Sequence, residues 1–468
     1  MTRVAFYCRE DELRKMNRRY NDGCWECVVI YGRRRVGKTA LINEFCKDKA
    51  TIYFSALNSS SQENLRALSK AIYQYAHPDA QTYPEFSSFE NALEEITRIG
   101  TERVVFVIDE YPYLAKAEPS ISSRLQHLID HKWQNSKLYL ILCGSSMSFM
   151  QNQVLGYESP LYGRRTAQFK IEPLTYRETA VFNPALTPEE NAYIYGITGG
   201  IPHYINKLGV RNHLDEAIQD SIFDRSGYLF EEPDNLLKQE LREPGIYNSI
   251  ITAVAEGASK LNEISTRVGM ESGPCSKYLS VLMELGILKK ETPITEKPGK
   301  KTIYLIEDNF FRFWYRFVPQ NLSLISSGRF ANAYNRLVKS KLHEYMGLIF
   351  EKMCKEYLLR YAEDLPFDLA GVGQWWGTDP AEKKQIQIDI VGVPVQEANK
   401  KVNTYLIGSC KFKNGKIDVD ELELLKRYAA AFAGKASFHY MIFSLGGFTD
   451  RLMELSDQVQ LITLKEMY

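Results

Sequence analysis

The residues best suited to chemistry lie near the N-terminal end of the chain, in the segment GRRRVGKT from Gly32 to Thr39. Its glycines, lysine and threonine fit the spacing G-x-x-x-x-G-K-[ST]. A loop of this kind turns successive backbone N–H groups towards one point and suits a triphosphate. Lys38 would reach the β- and γ-phosphates, and the Thr39 hydroxyl would bind Mg²⁺. We therefore predict ATP and Mg²⁺ as cofactors, with nucleotide contacts from Gly32, Arg35, Val36, Gly37, Lys38 and Thr39.

Two adjacent carboxylates, Asp109 and Glu110, follow the apolar run VVFVI. Such a run predicts a buried strand, and ligands of open α/β sheets collect at the carboxyl ends of the strands. Asp109 would bind Mg²⁺ directly or through water, and Glu110 would orient and deprotonate the attacking water. The alternative is an ordinary strand end with solvated acids. The phosphate loop upstream favours the catalytic interpretation.

These groups need strands and helices to hold them. The apolar run from Val28 to Tyr31 predicts a strand before the loop, and the segment from Ala40 to Phe45 predicts a helix after it. A further apolar strand, LYLILCGSS, begins about 30 residues after the acidic pair and ends on small polar residues that include Ser145. That separation is expected if this strand is inserted beside the strand of the phosphate loop.

This arrangement resembles the additional-strand class of P-loop ATPases, to which the AAA+ and STAND-type proteins belong, over about 200 residues. The resemblance implies that Ser145 senses the γ-phosphate. It also makes Arg164 and Arg165 candidates for an arginine finger acting on a neighbouring subunit, and hence implies a homo-oligomer. The alternative for these arginines is a surface pair that is solvated or bound to carboxylates.

Bulk composition excludes several classes of protein. Lys plus Arg and Asp plus Glu are equal at 58 each, so no global charge attracts nucleic acid or an anionic membrane. No apolar run approaches the roughly 18 residues of a membrane span, and the charged N-terminal segment lacks the core of a signal peptide. We therefore expect a cytoplasmic protein without a membrane partner. Its eight cysteines fit reduced thiols, and Cys24 and Cys27 form a single C-x-x-C without a second pair.

The middle of the chain is helical in pattern. The sequence predicts an ATPase core over 1–172 and a helical lid over 173–240, in which the resemblance places TGGIPHYINKL and we expect His203 to be a packed or capping residue. Residues 241–318 resemble a winged helix-turn-helix with Ser276, Lys277 and Tyr278 on its recognition helix and Lys297, Lys300 and Lys301 at the tip of its wing. Such a module either contacts DNA or only joins domains.

Residues 335–468 follow the order helix, strand, strand, helix and resemble a restriction-endonuclease-like core. The resemblance matches Glu351, Asp389 and Lys411 to a metal-dependent nuclease site. Ser409 stands where that family carries a metal-binding glutamate, and a hydroxyl is a poorer ligand for a hard cation. We expect the nuclease activity to be lost and Ser409→Glu to create a metal site, unless Glu421 or Glu423 on the next helix substitutes for the missing carboxylate.

The sequence thus predicts an α/β P-loop ATPase with a helical lid, a winged helix-turn-helix and an α/β restriction-endonuclease-like C-terminal domain, as in archaeal and bacterial ATPases that carry a C-terminal domain of unknown function. We interpret it as an ATP-dependent switch or motor that controls its C-terminal half. The alternatives are an ATP-gated DNA nuclease and a transcriptional regulator that binds DNA without cutting it.

Overall fold

The computed structural model describes residues 6–210, 213–299, 301–379, 382–395 and 403–468. The chain forms two compact units, one of residues 1–173 with 201–203 and the other of residues 174–200 with 204–468. The four-domain subdivision expected from the sequence stays a prediction within this division. Within the described ranges, no helix is long and apolar enough to cross a membrane.

The first unit is built on a five-stranded sheet whose strand pairs are all parallel. Its strands are β1 (Glu26–Tyr31), β2 (Thr51–Ser55), β3 (Val104–Asp109), β4 (Leu138–Gly144) and β5 (Ala167–Lys170). Its helices are α1 (Glu10–Asn21), α2 (Lys38–Cys46), α3 (Ser61–Ala76), α4 (Phe89–Ile99), α5 (Tyr111–Ala117), α6 (Ile121–His131) and α7 (Met147–Phe149).

The strand order β2-β3-β4-β1-β5 places β4 between β1 and β3. This confirms the inserted strand expected from the sequence. All residues of β1, β3 and β4 are buried, because helices cover both faces of the sheet. Val28 and Ile30 pack into one apolar core, whereas Val29 and Tyr31 pack into the other, as the two-residue period of a strand requires. The parallel arrangement brings the carboxyl ends of β1, β3 and β4 to one edge.

The second unit begins with helices α8 (Tyr176–Ala180), α9 (Pro188–Thr198), α10 (Pro202–Leu208), α11 (Leu214–Ile218) and α12 (Glu232–Glu240). The first two residues of α10 belong to the first unit. Next come α13 (Pro244–Ala255), α14 (Leu261–Val268), α15 (Ser272–Glu284) and the antiparallel hairpin of β6 (Leu288–Glu291) and β7 (Ile303–Ile306). The aromatic segment α16 (Asn309–Phe317), α17 (Leu322–Ser326) and α18 (Phe330–Ala333) follow.

The C-terminal part of this unit is a separate α/β layer. It contains α19 (Leu342–Arg360), β8 (Leu369–Thr378), β9 (Gln385–Pro394), β10 (Thr404–Lys411), α20 (Val419–Ala433), β11 (Ser437–Ser444), α21 (Asp450–Met453) and β12 (Val459–Thr463). The sheet order is β12-β11-β10-β9-β8, with antiparallel pairs from β8 to β10 and parallel pairs from β10 to β12. The helix α20 makes the crossover between the parallel strands β10 and β11.

Candidate functional site

The loop from Gly32 to Thr39 joins β1 to α2 through residues with unusual backbone angles. Arg35 (φ 71°) and Gly37 (φ 95°) adopt left-handed conformations, and Gly37 is the N-cap of α2. At Gly32 a Cβ would collide with the carbonyl oxygen of Ile171, so only glycine fits there. Alternating left- and right-handed residues turn neighbouring N–H groups into a common concavity that binds anions. The helix terminus adds its positive dipole end at the same place.

Lys38 lies across this loop. Its Nζ donates hydrogen bonds to the carbonyl oxygens of Gly32 and Arg33, at 2.9 Å each, and only 6% of the residue is exposed. Burial lowers the pKa of the ammonium group. A buried cation of this kind gains from an anionic ligand, and phosphate oxygens supply one. Contact of Lys38 with the β- and γ-phosphates stays a prediction.

The carboxylate of Asp109, at the end of β3, accepts hydrogen bonds from three donors. The hydroxyls of Thr39 and Tyr53 donate to its Oδ2 at 3.2 Å and 2.7 Å, and the Glu110 N–H donates to its Oδ1 at 3.0 Å. Thr39 and Asp109 thus present two oxygen atoms to one point, which is the donor set that Mg²⁺ prefers. These two residues would hold the ion beside the phosphates.

Tyr53 was not anticipated from the sequence. Its strand β2 lies next to β3, with Ser55 in register with Asp109, so the phenol approaches the carboxylate from the neighbouring strand. Burial and the adjacent Asp109 raise the pKa of the Tyr53 phenol, which keeps it a hydrogen-bond donor. The one signal in the sequence was a tyrosine between the apolar residues Ile52 and Phe54 of the strand TIYFS.

Glu110 and Ser145 meet because β3 and β4 are neighbours. The Ser145 hydroxyl donates to Oε2 of Glu110 at 3.0 Å and approaches Oε1 at 3.2 Å, and Ser145 is 6% exposed. Glu110 itself has a left-handed backbone (φ 52°) at the N-cap of α5. A carboxylate held in this way can accept a proton from a water molecule placed next to the phosphates.

The two arginines expected to act as fingers differ in their surroundings. Arg164 donates two hydrogen bonds to the carboxylate of Asp130, at 2.8 Å and 2.7 Å, and two more to the carbonyls of Pro160 and Tyr162 at 3.0 Å. Asp130 raises the pKa of Arg164 further. Arg164 therefore fits the surface-pair alternative. Arg165 is half-buried and makes no hydrogen bond or ion pair within the part of the chain that the structure describes.

His203 lies in the first turn of α10 and is half-buried. The segment 201–203 belongs to the ATPase unit, where the Pro202 ring lies 3.9 Å from the place that a Cβ of Gly37 would take. This segment therefore borders the phosphate loop through Pro202.

In the second unit, the residues matched to a nuclease site do come close to one another. Glu351 lies on α19, Asp389 on β9 and Lys411 on β10. The N–H of Cys410 donates to Oδ2 of Asp389 at 3.0 Å, which ties β10 to that carboxylate. The amide of Gln374 on β8 donates to the Glu351 carboxylate.

Ser409 does not leave a gap in this site. Its hydroxyl donates to Oε1 of Glu421 at 2.7 Å, and the same oxygen lies 3.1 Å from Nζ of Lys411. Glu421 therefore stands where the missing carboxylate was expected, whereas Glu423 pairs with Lys426 at 3.0 Å. Of the two substitutes left open from the sequence, Glu421 is the one beside Lys411, because the first turn of α20 lies against β10 at Ser409.

The electrostatics of this cluster are those of buried carboxylates. Burial and the neighbouring Asp389 raise the pKa of Glu351 to about 8, and burial raises the pKa of Asp389. Burial alone would lower the pKa of Lys411, but Asp389 and Glu421 raise it overall. Within the described ranges, no three His, Cys, Asp or Glu residues are grouped as a metal site would require.

The residues that would contact DNA, if this module binds it, differ in how exposed their side chains are. Lys277 on α15 is exposed, whereas the Tyr278 hydroxyl donates to Glu243 at 3.2 Å and Ser276 is half-buried. At the hairpin tip Lys297 is exposed, Lys301 pairs with Glu296 at 2.5 Å, and Lys300 lies outside the described residues. The winged-helix interpretation of this segment stays a prediction.

Comparisons with known proteins agree with this geometry. Residues 6–208 match the model of an ATPase domain found predominantly in Archaea, and residues 314–424 match a family of archaeal and bacterial proteins of unknown function. An uncharacterized protein of Methanocaldococcus jannaschii is 35% identical over 379 residues, which are 79% of this chain and 82% of that protein. An uncharacterized ATP-binding protein of the same organism is 44% identical over 46 residues, 10% of this chain and 78% of its own.

Among solved structures, a Walker-type ATPase of Pyrococcus abyssi is similar in fold, with a TM-score of 0.53 and 19% identity. The match covers 67% of this chain and 97% of that one.

Proposed function

Because this chain belongs to the family of P-loop ATPases that carry a C-terminal domain of unknown function, it is an ATP-hydrolysing enzyme, and we propose that Mg²⁺-dependent hydrolysis serves as a switch or motor for its C-terminal half. The observation that carries the catalytic part is the contact between Glu110 and Ser145 at the end of two neighbouring strands. Glu110 takes the proton of the attacking water, and Thr39 and Asp109 hold Mg²⁺.

Glu110→Gln tests the catalytic part. The amide keeps the shape of the side chain and cannot accept the proton, so we expect ATP to bind with unchanged affinity and phosphate release to slow by roughly 10² or more. Glu102→Gln is the matched control, since Glu102 is an exposed carboxylate of the same unit with only a 3.8 Å contact to Lys137. Equal phosphate release by the two variants would remove Glu110 from the mechanism.

The coupling part rests on contacts inside the second unit. The Tyr345 hydroxyl on α19 donates to the carbonyl of Gly196 on α9 at 2.6 Å, and a Cβ at Gly196 would lie 2.6 Å from the sulfur of Met346. α9 is thus packed closely on α19, the helix that carries Glu351. After α9, Gly199 and Gly200 lead directly into the segment that borders the phosphate loop. Nucleotide-dependent movement of this segment would be passed through α9 to α19.

Hydrogen exchange with Glu110→Gln, which retains ATP, tests the coupling. We expect ATP to change the protection of α9 and α19 together, and Lys38→Ala to abolish both changes because it does not bind the nucleotide. A change confined to α9 would show that the ATPase unit does not control α19.

A second candidate function, an ATP-gated DNA nuclease, is favoured by the position of Glu421 between Ser409 and Lys411. Glu421 and Asp389 would hold the divalent ion, and Lys411 would stabilise the leaving charge. Plasmid nicking with Mg²⁺ or Mn²⁺, with and without ATP, tests this function. Cleavage that is lost in Glu421→Gln but kept in Glu423→Gln would support it, and absence of cleavage by the natural chain would support the loss expected from the sequence.

DNA contact without cleavage, as in a transcriptional regulator, would use Lys277 and Lys297, both exposed. A gel shift with Lys277→Ala and Lys297→Ala tests this contact, since loss of phosphate contacts reduces the dependence of binding on salt. Unchanged salt dependence would favour a module that only joins domains.

A further inference from the structure

Arg34 lies in the phosphate loop and contacts α5, the helix that follows Glu110. One of its hydrogen bonds runs from Nη2 to the hydroxyl of Tyr113, at 2.8 Å. The N–H of Tyr113 in turn donates to the carbonyl of Glu110 at 2.9 Å, so this tyrosine lies one helical turn beyond Glu110. A hydrogen bond of the Arg34 guanidinium thus joins the phosphate loop to α5, the helix that begins just after Glu110. In an ATPase of this class, the γ-phosphoryl group binds between the phosphate loop and the acidic end of the neighbouring strand.

The charges around Lys38 support this location. Lys38 lies in the same loop, is buried, and donates hydrogen bonds to the carbonyl oxygens of Gly32 and Arg33 at 2.9 Å each. Arg34 and Lys38 are thus two cations of one short loop. Two cations that face the same gap repel each other until an anion lies between them. A γ-phosphate, which gains charge on its outer oxygens as it is transferred, is such an anion.

Arg164 is poorly placed for this task, because Asp130 and two backbone carbonyls already accept hydrogen bonds from its guanidinium. The hydrogen bond from Arg34 Nη2 to the Tyr113 hydroxyl, by contrast, has a neutral acceptor. A hydrogen bond to a neutral acceptor is weaker than one to a charged acceptor, so a phosphoryl oxygen competes well with the phenol for this nitrogen.

We propose that Arg34 is a catalytic residue that acts in cis on the γ-phosphate, with the Tyr113 hydroxyl as one of its partners in the resting state. When water attacks the γ-phosphorus and the bond to the β-phosphate oxygen breaks, Arg34 donates N–H hydrogen bonds to the γ-phosphoryl oxygens. Its guanidinium stays protonated throughout, and the proton of the water goes to Glu110. The inference rests on the ATPase activity and is independent of any coupling to the C-terminal half.

Steady-state phosphate release by the full chain tests the role. We expect Arg34→Ala to lower kcat by roughly 10³ and Arg34→Lys to restore only part of it, because lysine keeps the charge but loses the planar fork. Arg98→Ala is the control, since Arg98 is an exposed arginine of the same unit that pairs with Glu95. Tyr113→Phe removes only this resting partner and should keep kcat within about threefold of the natural chain.

Binding measurements separate this role from a structural one. ADP lacks the γ-phosphate, so its affinity for Arg34→Ala should stay within about threefold, which also shows that the variant folds. The affinity for ADP with aluminium fluoride, which mimics the transition state, should fall in parallel with kcat. Action in cis further requires that turnover per molecule does not change on dilution to a monomer.

Four results would overturn the proposal. They are natural kcat in Arg34→Ala, a loss in Tyr113→Phe as large as that in Arg34→Ala, an equal fall in affinity for ADP with and without aluminium fluoride, and turnover per molecule that falls on dilution to a monomer. An inactive natural chain would instead contradict the ATPase activity itself, so the two failures are distinguishable.

Discussion

The carboxylate of Glu307 forms ion pairs that connect the hairpin β6–β7 to α19, the helix that carries Glu351. Removing this negative charge should lower the free energy of unfolding by an amount that follows from its pKa. Glu307 directly follows β7, and its Oε1 lies 2.7 Å from Nζ of Lys352 on α19, while its Oε2 lies 3.2 Å from Nζ of Lys289 on β6. Burial alone would raise the pKa of Glu307, but Lys352 and Lys289 lower it to about 2. Glu307→Gln keeps the size of the side chain and removes its charge.

The size of the pKa shift gives the expected loss in the free energy of unfolding. A fall from the ordinary 4.5 to about 2 corresponds to roughly 3 kcal/mol in the absence of screening. Since 33% of the Glu307 side chain is exposed, solvent screens part of this interaction, and we expect about 1–2 kcal/mol. For a unit of this size that loss lowers the melting temperature by roughly 2–8 °C.

The pH dependence follows from the sign of the shift. The folded state holds the Glu307 proton less tightly than the unfolded state, so the stabilisation is fully present above the unfolded pKa of 4.5 and is lost as the pH falls towards 2. Calorimetry of the natural chain and of Glu307→Gln should therefore show the full difference at pH 7 and a shrinking difference below about pH 4.5. High salt should reduce the difference at pH 7.

Glu344→Gln is the matched control. Glu344 lies on α19, the helix that carries Lys352, and it pairs with Arg316 at 2.7 Å while 74% of its side chain is exposed. We expect its melting temperature to change little. Equal effects of the two substitutions, or a difference for Glu307→Gln that persists unchanged at low pH, would refute the argument that Glu307 is held ionised by two lysines.

Three further predictions concern the two sites. Lys38→Ala should abolish ATP binding in calorimetry, since Lys38 supplies the point charge on the β- and γ-phosphates, and natural affinity would contradict this. If Arg165 acts as an arginine finger in a homo-oligomer, Arg165→Ala should lower turnover by roughly 10³. The turnover per molecule of the natural chain should then rise with protein concentration. A monomer whose turnover per molecule is constant would exclude this role for Arg165. Ser409→Glu should destabilise the second unit and should not improve Mn²⁺ affinity, because Ser409 is 3% exposed and already contacts the Glu421 carboxylate. Tighter Mn²⁺ binding by this variant would show that the natural site lacks a ligand.

The phosphate loop could be predicted from the sequence almost completely, because its chemistry depends on residues that are neighbours along the chain. The glycines at 32 and 37 are needed for local backbone geometry, and the strand before the loop and the helix after it have strong apolar patterns. The same holds for Asp109 and Glu110, which the strand β3 delivers together. Even the insertion of β4 followed from the separation between the two apolar runs.

The tertiary structure decided every contact between residues far apart in the chain. Tyr53 reaches Asp109 only because β2 and β3 are adjacent, and Tyr113 binds Arg34 only because α5 turns back towards the loop. Arg164 and Arg165 are neighbours in sequence, yet only Arg164 donates hydrogen bonds to Asp130 on α6. Spacing alone contains no information on which carboxylate will lie beside which arginine.

Ser409 shows the physical reason most clearly. From the sequence, a serine at a metal-binding position indicated one carboxylate too few, because the pattern counts only residues on the same strand. In the folded chain, α20 packs on the sheet so that Glu421 contacts the Ser409 hydroxyl, whereas Glu423 pairs with Lys426. Helical periodicity restricts such a substitute to one face of α20, but only the packing of α20 on the sheet determines which residue faces the site.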